Sequence, residues 1–276
     1  MTTPGCTLND GHEIPAIGFG TYLLNGDEGM NAVVSAIECG YRLIDSAFIY
    51  ENEPEVGEAI RRSGVPRGEI TLVTKLPGRF HGLTETRAGF EESLANLGVD
   101  YIDLFLIHWP LPRVDKYVDT WRTMIDLREE GLIRSIGVCN FTQAYLSRII
   151  EETGVVPAVN QIELHPHFPQ AAMRAFHAEQ GIQTQSWSPL AHQRSLLDDP
   201  VVTDVAQAHG VTPSQVVLRW HVQLGSIPIP KSASASRQKQ NLDVFGFELT
   251  VAEVEAISSL ESGRLWGGDP ESNEEF

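Results

Sequence analysis

Cysteine is scarce in this chain: Cys6, Cys39 and Cys139 are the only three in 276 residues. So few, so scattered, exclude a disulfide framework or a thiolate zinc site and point to a reducing compartment. No apolar run approaches the ~20 residues that a membrane-spanning helix needs. The opening residues Met1-Thr2-Thr3-Pro4-Gly5 have neither the charged nor the apolar region of a secretory signal, so a cytoplasmic location is expected. Basic residues are few as well. Twenty Lys and Arg face 37 Asp and Glu, and the formal charge of −17 argues against nucleic acid or anionic membrane as a partner. That charge, with no exposed apolar run, suggests a soluble monomer. Also absent is Gly-x-Gly-x-x-Gly, since Gly18-Phe19-Gly20 runs on into Thr21-Tyr22-Leu23. A doubly wound dinucleotide-binding domain is thereby disfavoured.

What is present alternates. Leu8–Ile14 reads as a tight hairpin around Asp10-Gly11. Strand-like runs follow at Leu43–Ser46, Ile70–Leu76, Leu104–Trp109, Ser135–Asn140, Val159–Leu164, Thr184–Trp187, Ser226–Pro230 and Phe245–Leu249. Between them lie helical patterns at Gly29–Cys39, Thr84–Leu97, Lys116–Glu130, Gln143–Thr153, Ala171–Gln180 and Ser214–Leu224, with Val251–Leu260 last. A further helix opens at Asn52-Glu53-Pro54. Continuous apolar strands alternating with helices predict a parallel sheet covered on both faces. The expected fold is a single (β/α)8 TIM barrel with an N-terminal β-hairpin. With no repeat, low-complexity tract or Pro/Ser-rich linker, residues 1–276 are expected to form one domain.

Active sites of such barrels lie at the C-terminal ends of the strands. There the sequence places Asp45 and then Tyr50, Lys75, His108 with Trp109, Asn140, Gln161 with Glu163, Trp187 and Lys231. Lys75 stands out because lysine occurs only four times, at 75, 116, 231 and 239, yet it ends an apolar run. Each residue alone has an ordinary structural explanation. Together Asp45, Tyr50, Lys75 and His108 make a proton-transfer set. The usual tyrosine pKa of about 10 is too high for exchange near neutrality, and a lysine cation nearby would lower it. Asp45 would hold that lysine charged, and His108 would bond the oxygen on which charge develops.

Two other readings compete. His165-Pro166-His167 beside Glu163 admits a metal-dependent barrel hydrolase, although no further ligands stand at other strand ends and Lys75 and Tyr50 would be unexplained. A cofactor-binding sensor or accessory subunit on the same barrel is the non-enzymatic alternative, since fold does not fix function.

The chain resembles the aldo-keto reductases along essentially its whole length. The resemblance rests on Gly40-Tyr41-Arg42-Leu43-Ile44-Asp45-Ser46-Ala47 with Tyr50 and Asn52-Glu53, on Thr74-Lys75, on Asp100-Tyr101-Ile102-Asp103-Leu104 and on His108-Trp109-Pro110. It continues through Ile136–Phe141, Asn160-Gln161-Ile162-Glu163, Ser188-Pro189-Leu190 and Ile229-Pro230-Lys231-Ser232. Within the family the chain is most similar to the short bacterial enzymes of the 2,5-diketo-gluconate reductase type.

The resemblance implies NADPH-dependent reduction of small aldehydes and ketones, such as keto-sugar acids or dicarbonyls, with NADH a weaker donor and no metal. It implies Asp45, Tyr50, Lys75 and His108 as the catalytic tetrad, Tyr50 being the general acid. Asn140 and Gln161 would hold the nicotinamide carboxamide and Trp187 would stack on its ring. Pro189 and Leu190 would lie in the segment that passes over the pyrophosphate, and Tyr22, Cys139 and Ser188 would also belong to the cofactor site. Lys231, Ser232, Arg237 and Asn241 would take the 2′-phosphate and adenine. Phe48, Trp109 and His108, with Tyr22 and Trp266, would line the substrate pocket. Cys139, Ser234 and Gln240 depart from the residues common in the family, the last two where cofactor choice is decided.

Overall fold

Two three-residue strands, β1 (Gly5–Thr7) and β2 (Glu13–Pro15), pair antiparallel ahead of an eight-stranded parallel sheet in this computed structural model, which describes residues 3–191, 194–266 and 268–275. The hairpin turn is longer than Asp-Gly alone would make it. Leu8 N–H donates to His12 O at 2.8 Å, and Gly11 turns the chain at φ 88°.

The parallel strands are β3 (Phe19–Gly20), β4 (Leu43–Asp45), β5 (Thr71–Leu76), β6 (Ile102–Ile107), β7 (Ile133–Cys139), β8 (Val159–Glu163), β9 (Gln183–Trp187) and β10 (Ser226–Pro228). Neighbours in space follow chain order. The circle closes where Gly18 N–H donates to Pro228 O and Gly20 N–H to Pro230 O, each at 3.0 Å. Eight strands and closure match the expected barrel, but one member differs. Phe245–Leu249 is not a strand, and Phe19–Gly20 takes its place. Gly18 explains both the short strand and the missing signal. A Cβ there would lie 2.4 Å from a Leu43 methyl and 2.6 Å from an Ile229 methyl. Close packing of β3 against its two neighbours thus demands a glycine, which weakens the pattern that marks a strand. Phe245–Leu249 instead runs outside the barrel. Leu249 N–H donates to Gln223 Oε1 at 2.7 Å, and the chain passes into a helix capped by Thr250.

The helices are α1 (Gly26–Cys39), α2 (Glu53–Arg62), α3 (Leu83–Leu97), α4 (Tyr117–Glu129), α5 (Gln143–Thr153), α6 (Ala171–Gln180), α7 (Arg194–Leu197), α8 (Pro200–His209), α9 (Pro213–Gln223), α10 (Ala235–Leu242) and α11 (Val251–Ser258). Those expected from periodicity appear with ends shifted by up to three residues. Helices α7, α8 and α10 are not among those the periodicity predicts, and α8 is the longest of them. The start of α8 is nonetheless marked: Val201 N–H donates to the Asp199 carboxylate at 2.9 Å, with Pro200 in the first turn. Every residue of β6 is buried, as a strand covered on both faces requires. Its one charge, Asp103, lies at the N-terminal end between Arg67 at 2.6 Å and Arg134 at 3.0 Å. A cavity of about 310 Å³ opens at that end beneath the hairpin, lined by His12, Asp103 and Arg134 among others. The residues singled out for chemistry lie at the opposite end.

Candidate active site

β4 and β5 run in register with Asp45 beside Val73, so Lys75 projects just past the end of β4. Its side chain is 1% exposed and that of Asp45 4%. Lys75 Nζ donates to Asp45 Oδ1 at 2.6 Å and to Ser46 O at 2.7 Å. The other Asp45 oxygen accepts from Gln161 Nε2 at 2.8 Å, reaching in from β8. Two ions buried this deeply cost several kcal/mol each unless they are paired and their remaining groups are bonded. Here Asp45 has a partner for both oxygens.

Tyr50 ends a 3-10 turn, Phe48–Tyr50, that follows β4. The turn is fixed by buried Asn52, whose Oδ1 accepts from Ser46 Oγ at 2.9 Å. Its Nδ2 donates to Thr21 O at 2.7 Å and Leu24 O at 3.0 Å. Glu53 anchors the start of α2 against Thr74 Oγ1 at 2.7 Å. Its burial pushes its carboxyl up, although hydrogen bonds from Thr74 and Asn96 oppose the rise.

The Lys75 ammonium lies 5.2 Å from the centre of the Tyr50 ring. Burial pushes the phenol up to about 12, while the charge and hydrogen bond of Lys75 pull against it. The net direction is opposite to the one the lysine alone predicts, because the cost of desolvating a phenolate outweighs the cation and Asp45 and Cys139 add to the rise. A group held neutral at pH 7 in this way is a loaded proton donor. Burial would also lower the Lys75 pKa, but Asp45 and then Tyr50 more than reverse this, and the ammonium is held above its ordinary range.

His108 leaves β6 with its backbone N–H on Leu76 O at 3.1 Å. Its ring centre lies 6.1 Å from that of Tyr50, steeply tilted at 75°. All four residues of the proton-transfer set therefore converge at one end of the barrel. Around them, Asn140 Nδ2 donates to His108 O at 3.1 Å, and Asn140 Oδ1 accepts from Trp187 Nε1 at 2.8 Å. Asn140 has φ 61° and Ser188 φ 49°, left-handed backbone at the exits of β7 and β9. Tyr22, 48% exposed, meets Tyr50 edge-on at 5.1 Å. Phe48 is buried beneath the Arg79 guanidinium, and Trp109 is half-buried. Cys139 is buried, and that burial pushes its thiol well up. Pro189 is fixed by its carbonyl, 3.0 Å from His221 Nε2.

Lys231 and Arg237 are exposed beyond β10, whereas Ser232 and Asn241 are buried. Arg237 Nε donates to Ser232 Oγ at 3.3 Å. Among the described residues no carboxylate pairs with Lys231, Arg237 or Lys239, although the chain carries −17. These cations fit a nucleotide phosphate, and the half-buried Trp187 beside Asn140 fits a flat ring. The fit is tighter at the carboxamide end. Gln161 Nε2 is already committed to Asp45 and, at 3.0 Å, to Gln185 Oε1.

Some of the site carries little sequence signal. Glu163, read as a candidate metal ligand with His165 and His167, instead holds the C-terminal tail. Its Oε1 accepts from Leu265 N–H at 2.8 Å and Trp266 N–H at 3.2 Å, and Arg264 approaches Oε2 at 3.3 Å. His165 Nε2 lies 3.1 Å from the same carboxylate, while His167 Nδ1 turns away to Leu260 O at 3.1 Å. Trp266 then meets Trp187 at 6.2 Å. Gln185 and Glu275 were not marked by any local pattern.

The profile of the Aldo/keto reductase family matches residues 16–262. The chain is 60% identical over 273 residues to 2,5-diketo-D-gluconic acid reductase B of Corynebacterium sp. (strain SHS752001), covering 99% of each. It is 45% identical over 265 residues to the methylglyoxal reductase DkgA of Escherichia coli (strain K12), covering 96% of each. A Bombyx mori aldo-keto reductase solved in complex with NADP is similar at 37% identity and a TM-score of 0.88, over 95% of this chain and 94% of that one.

Proposed function

The chain belongs to the aldo/keto reductase family, and we propose that Asp45, Tyr50, Lys75 and His108 are the groups with which it reduces small aldehydes and ketones to alcohols. The observation that carries these roles is the buried Lys75–Asp45 pair, 2.6 Å apart, beside a phenol held neutral. When bound, the reduced nicotinamide of NADPH supplies a hydride to the carbonyl carbon. Tyr50 gives its proton to the carbonyl oxygen, and Lys75 stabilises the phenolate left behind. Asp45 keeps Lys75 in place, and His108 bonds the same oxygen as charge builds on it.

Trp187, with Asn140, Gln161, Tyr22 and Ser188, would hold the nicotinamide half, Pro189 and Leu190 would pass over the pyrophosphate, and buried Cys139 would back Asn140. Lys231, Ser232, Arg237 and Asn241 would hold the phosphate and adenine. Phe48, Trp109, Tyr22 and Trp266 would border the substrate. The names of the relatives favour dicarbonyls and keto-sugar acids as the substrate class.

Turnover of methylglyoxal with each nicotinamide cofactor, together with each cofactor's Kd, tests this reading. NADPH carries a 2′-phosphate that NADH lacks, and charge-assisted bonds to it contribute roughly 1.5–3 kcal/mol. That corresponds to about 10- to 150-fold preference. Arg237 is exposed and Ser234 stands where a second arginine would add to it, so the lower end is expected. Arg237→Ala should abolish most of the preference. Equal Kd values in the wild type, or no loss of NADPH affinity in the variant, would contradict the assignment.

The same reading takes the protein to be a cytoplasmic monomer. Its three cysteines are free thiols, and among the described residues the exposed large apolar side chains are Tyr22, Leu23, Leu83, Val251 and Trp266, of which only the first two are adjacent in sequence. Sedimentation at micromolar concentration should show a 30.5 kDa species, and a dimer would refute the monomer. Cell fractionation checks the compartment.

A further inference from the structure

The end of the chain returns to the site. Glu275 Oε1 lies 2.9 Å from His108 Nδ1, both side chains being largely enclosed at 12% and 11% exposure. The two atoms are close without hydrogen-bond alignment, and Glu275 Oε2 is buried with no hydrogen-bond partner. A carboxylate in such a place is costly, so the fold must hold it there. It does so at several points. Leu265 and Trp266 hang on Glu163. Arg264 Nη1 donates to Gly268 O at 3.0 Å, and Tyr145 donates to Glu271 at 2.6 Å. Gly78 then leaves the space that the tail fills, for a Cβ there would come within 2.1 Å of Glu275 O.

The surrounding charges do not cancel this one. Lys75 is paired with Asp45, and Arg113 approaches Glu274 at 3.8 Å. Arg79 lies over the rings of Phe48 and Phe80 at 4.7 and 5.2 Å. Among the described residues, only His108 stands within ion-pair distance of Glu275.

We propose that Glu275 is a specificity-determining residue, a fixed negative charge that disfavours substrates bearing a carboxylate directly on the reacting carbonyl. The inference rests on the role given above to His108. If His108 bonds the carbonyl oxygen, a carboxylate on the carbonyl carbon is brought within several ångströms of Glu275. In an enclosed site, with an effective dielectric constant of about 20, two like charges so placed repel strongly. A carboxylate several carbons away lies farther from Glu275 and is repelled less, because the energy falls with distance and with the freer access of solvent and salt. The site therefore suits neutral 2-oxoaldehydes and oxo acids whose carboxylate is remote from the reacting carbonyl.

The test compares a matched pair, 2-oxopropanoate and its uncharged ethyl ester, with NADPH and the full chain. The wild type should favour the ester at least about tenfold in kcat/KM. Glu275→Gln keeps the shape and removes the charge. It should raise kcat/KM for the acid about tenfold and leave the ester within about threefold. Equal factors for acid and ester, or an unchanged acid, overturn the proposal, because a merely structural role would move both alike. A binding arm decides the charge claim even without turnover. Oxamide should bind the protein–NADP+ complex more tightly than oxamate in the wild type, and Glu275→Gln should close that gap. Equal affinities in the wild type overturn the proposal. Should the wild type reduce no carbonyl compound at all, the reading of His108 fails instead.

Discussion

Replacing Tyr50 by phenylalanine is expected to lower kcat for carbonyl reduction by at least about 10²-fold, the usual scale for a lost general acid. The change removes one hydroxyl and leaves the ring. Its packing against Tyr22 at 5.1 Å and its approach to His108 at 6.1 Å do not involve that oxygen. Cofactor affinity and Tm should therefore stay near wild type, and the loss should fall on kcat. The pH profile follows from the same geometry. With the phenol pushed up to about 12, the free protein keeps its proton donor loaded throughout the neutral range. Reduction should not fall between pH 6 and 8 through loss of that proton. Alcohol oxidation, which needs the phenolate, should rise with pH over the same range. Steady-state assays in both directions check this.

Replacing Lys75 by methionine is expected to be as damaging, for two separable reasons. The phenolate loses the cation that opposes its burial. Asp45 loses the partner of one carboxylate oxygen while remaining buried. Breaking a buried pair by removing one member typically costs about 3–5 kcal/mol, a large fraction of the roughly 5–15 kcal/mol by which folded domains are stable. The single variant is thus expected to show both a lower Tm and little activity. The double variant Asp45→Asn with Lys75→Met separates the two effects, because it leaves no uncompensated charge. Its Tm should recover towards wild type while kcat stays at least about 10²-fold down. A double variant that regains activity along with stability would show that Lys75 serves the fold rather than the proton transfer.

The proton-transfer set was readable in sequence because it breaks a pattern. Apolar strands run straight into Asp45, Lys75 and His108, and a packed interior has no use for such groups at those places. The barrel was readable through alternation, but not all of its members were. Phe19–Gly20 is two residues long and follows a glycine forced by Leu43 and Ile229, so periodicity has nothing to register. Phe245–Leu249 carries a strand-like composition that packing outside the barrel satisfies equally well. Contacts between distant parts of the chain were the least legible. Gln161 reaches Asp45 from β8, and Glu163 holds residues 264–266. No local pattern announces either. The effect of Lys75 on Tyr50 was read with the right sign but the wrong net result, since burial of the phenol is a tertiary quantity.

The central claim is that Tyr50 delivers the proton in the step that reduces the carbonyl. Single-turnover stopped flow tests it, with wild-type and Tyr50→Phe protein preloaded with NADPH and mixed with excess methylglyoxal. This isolates the chemical step from product release. The rate of NADPH consumption in the variant should be at least about 10²-fold below wild type. A variant that consumes its bound NADPH at a near-normal rate would contradict the account.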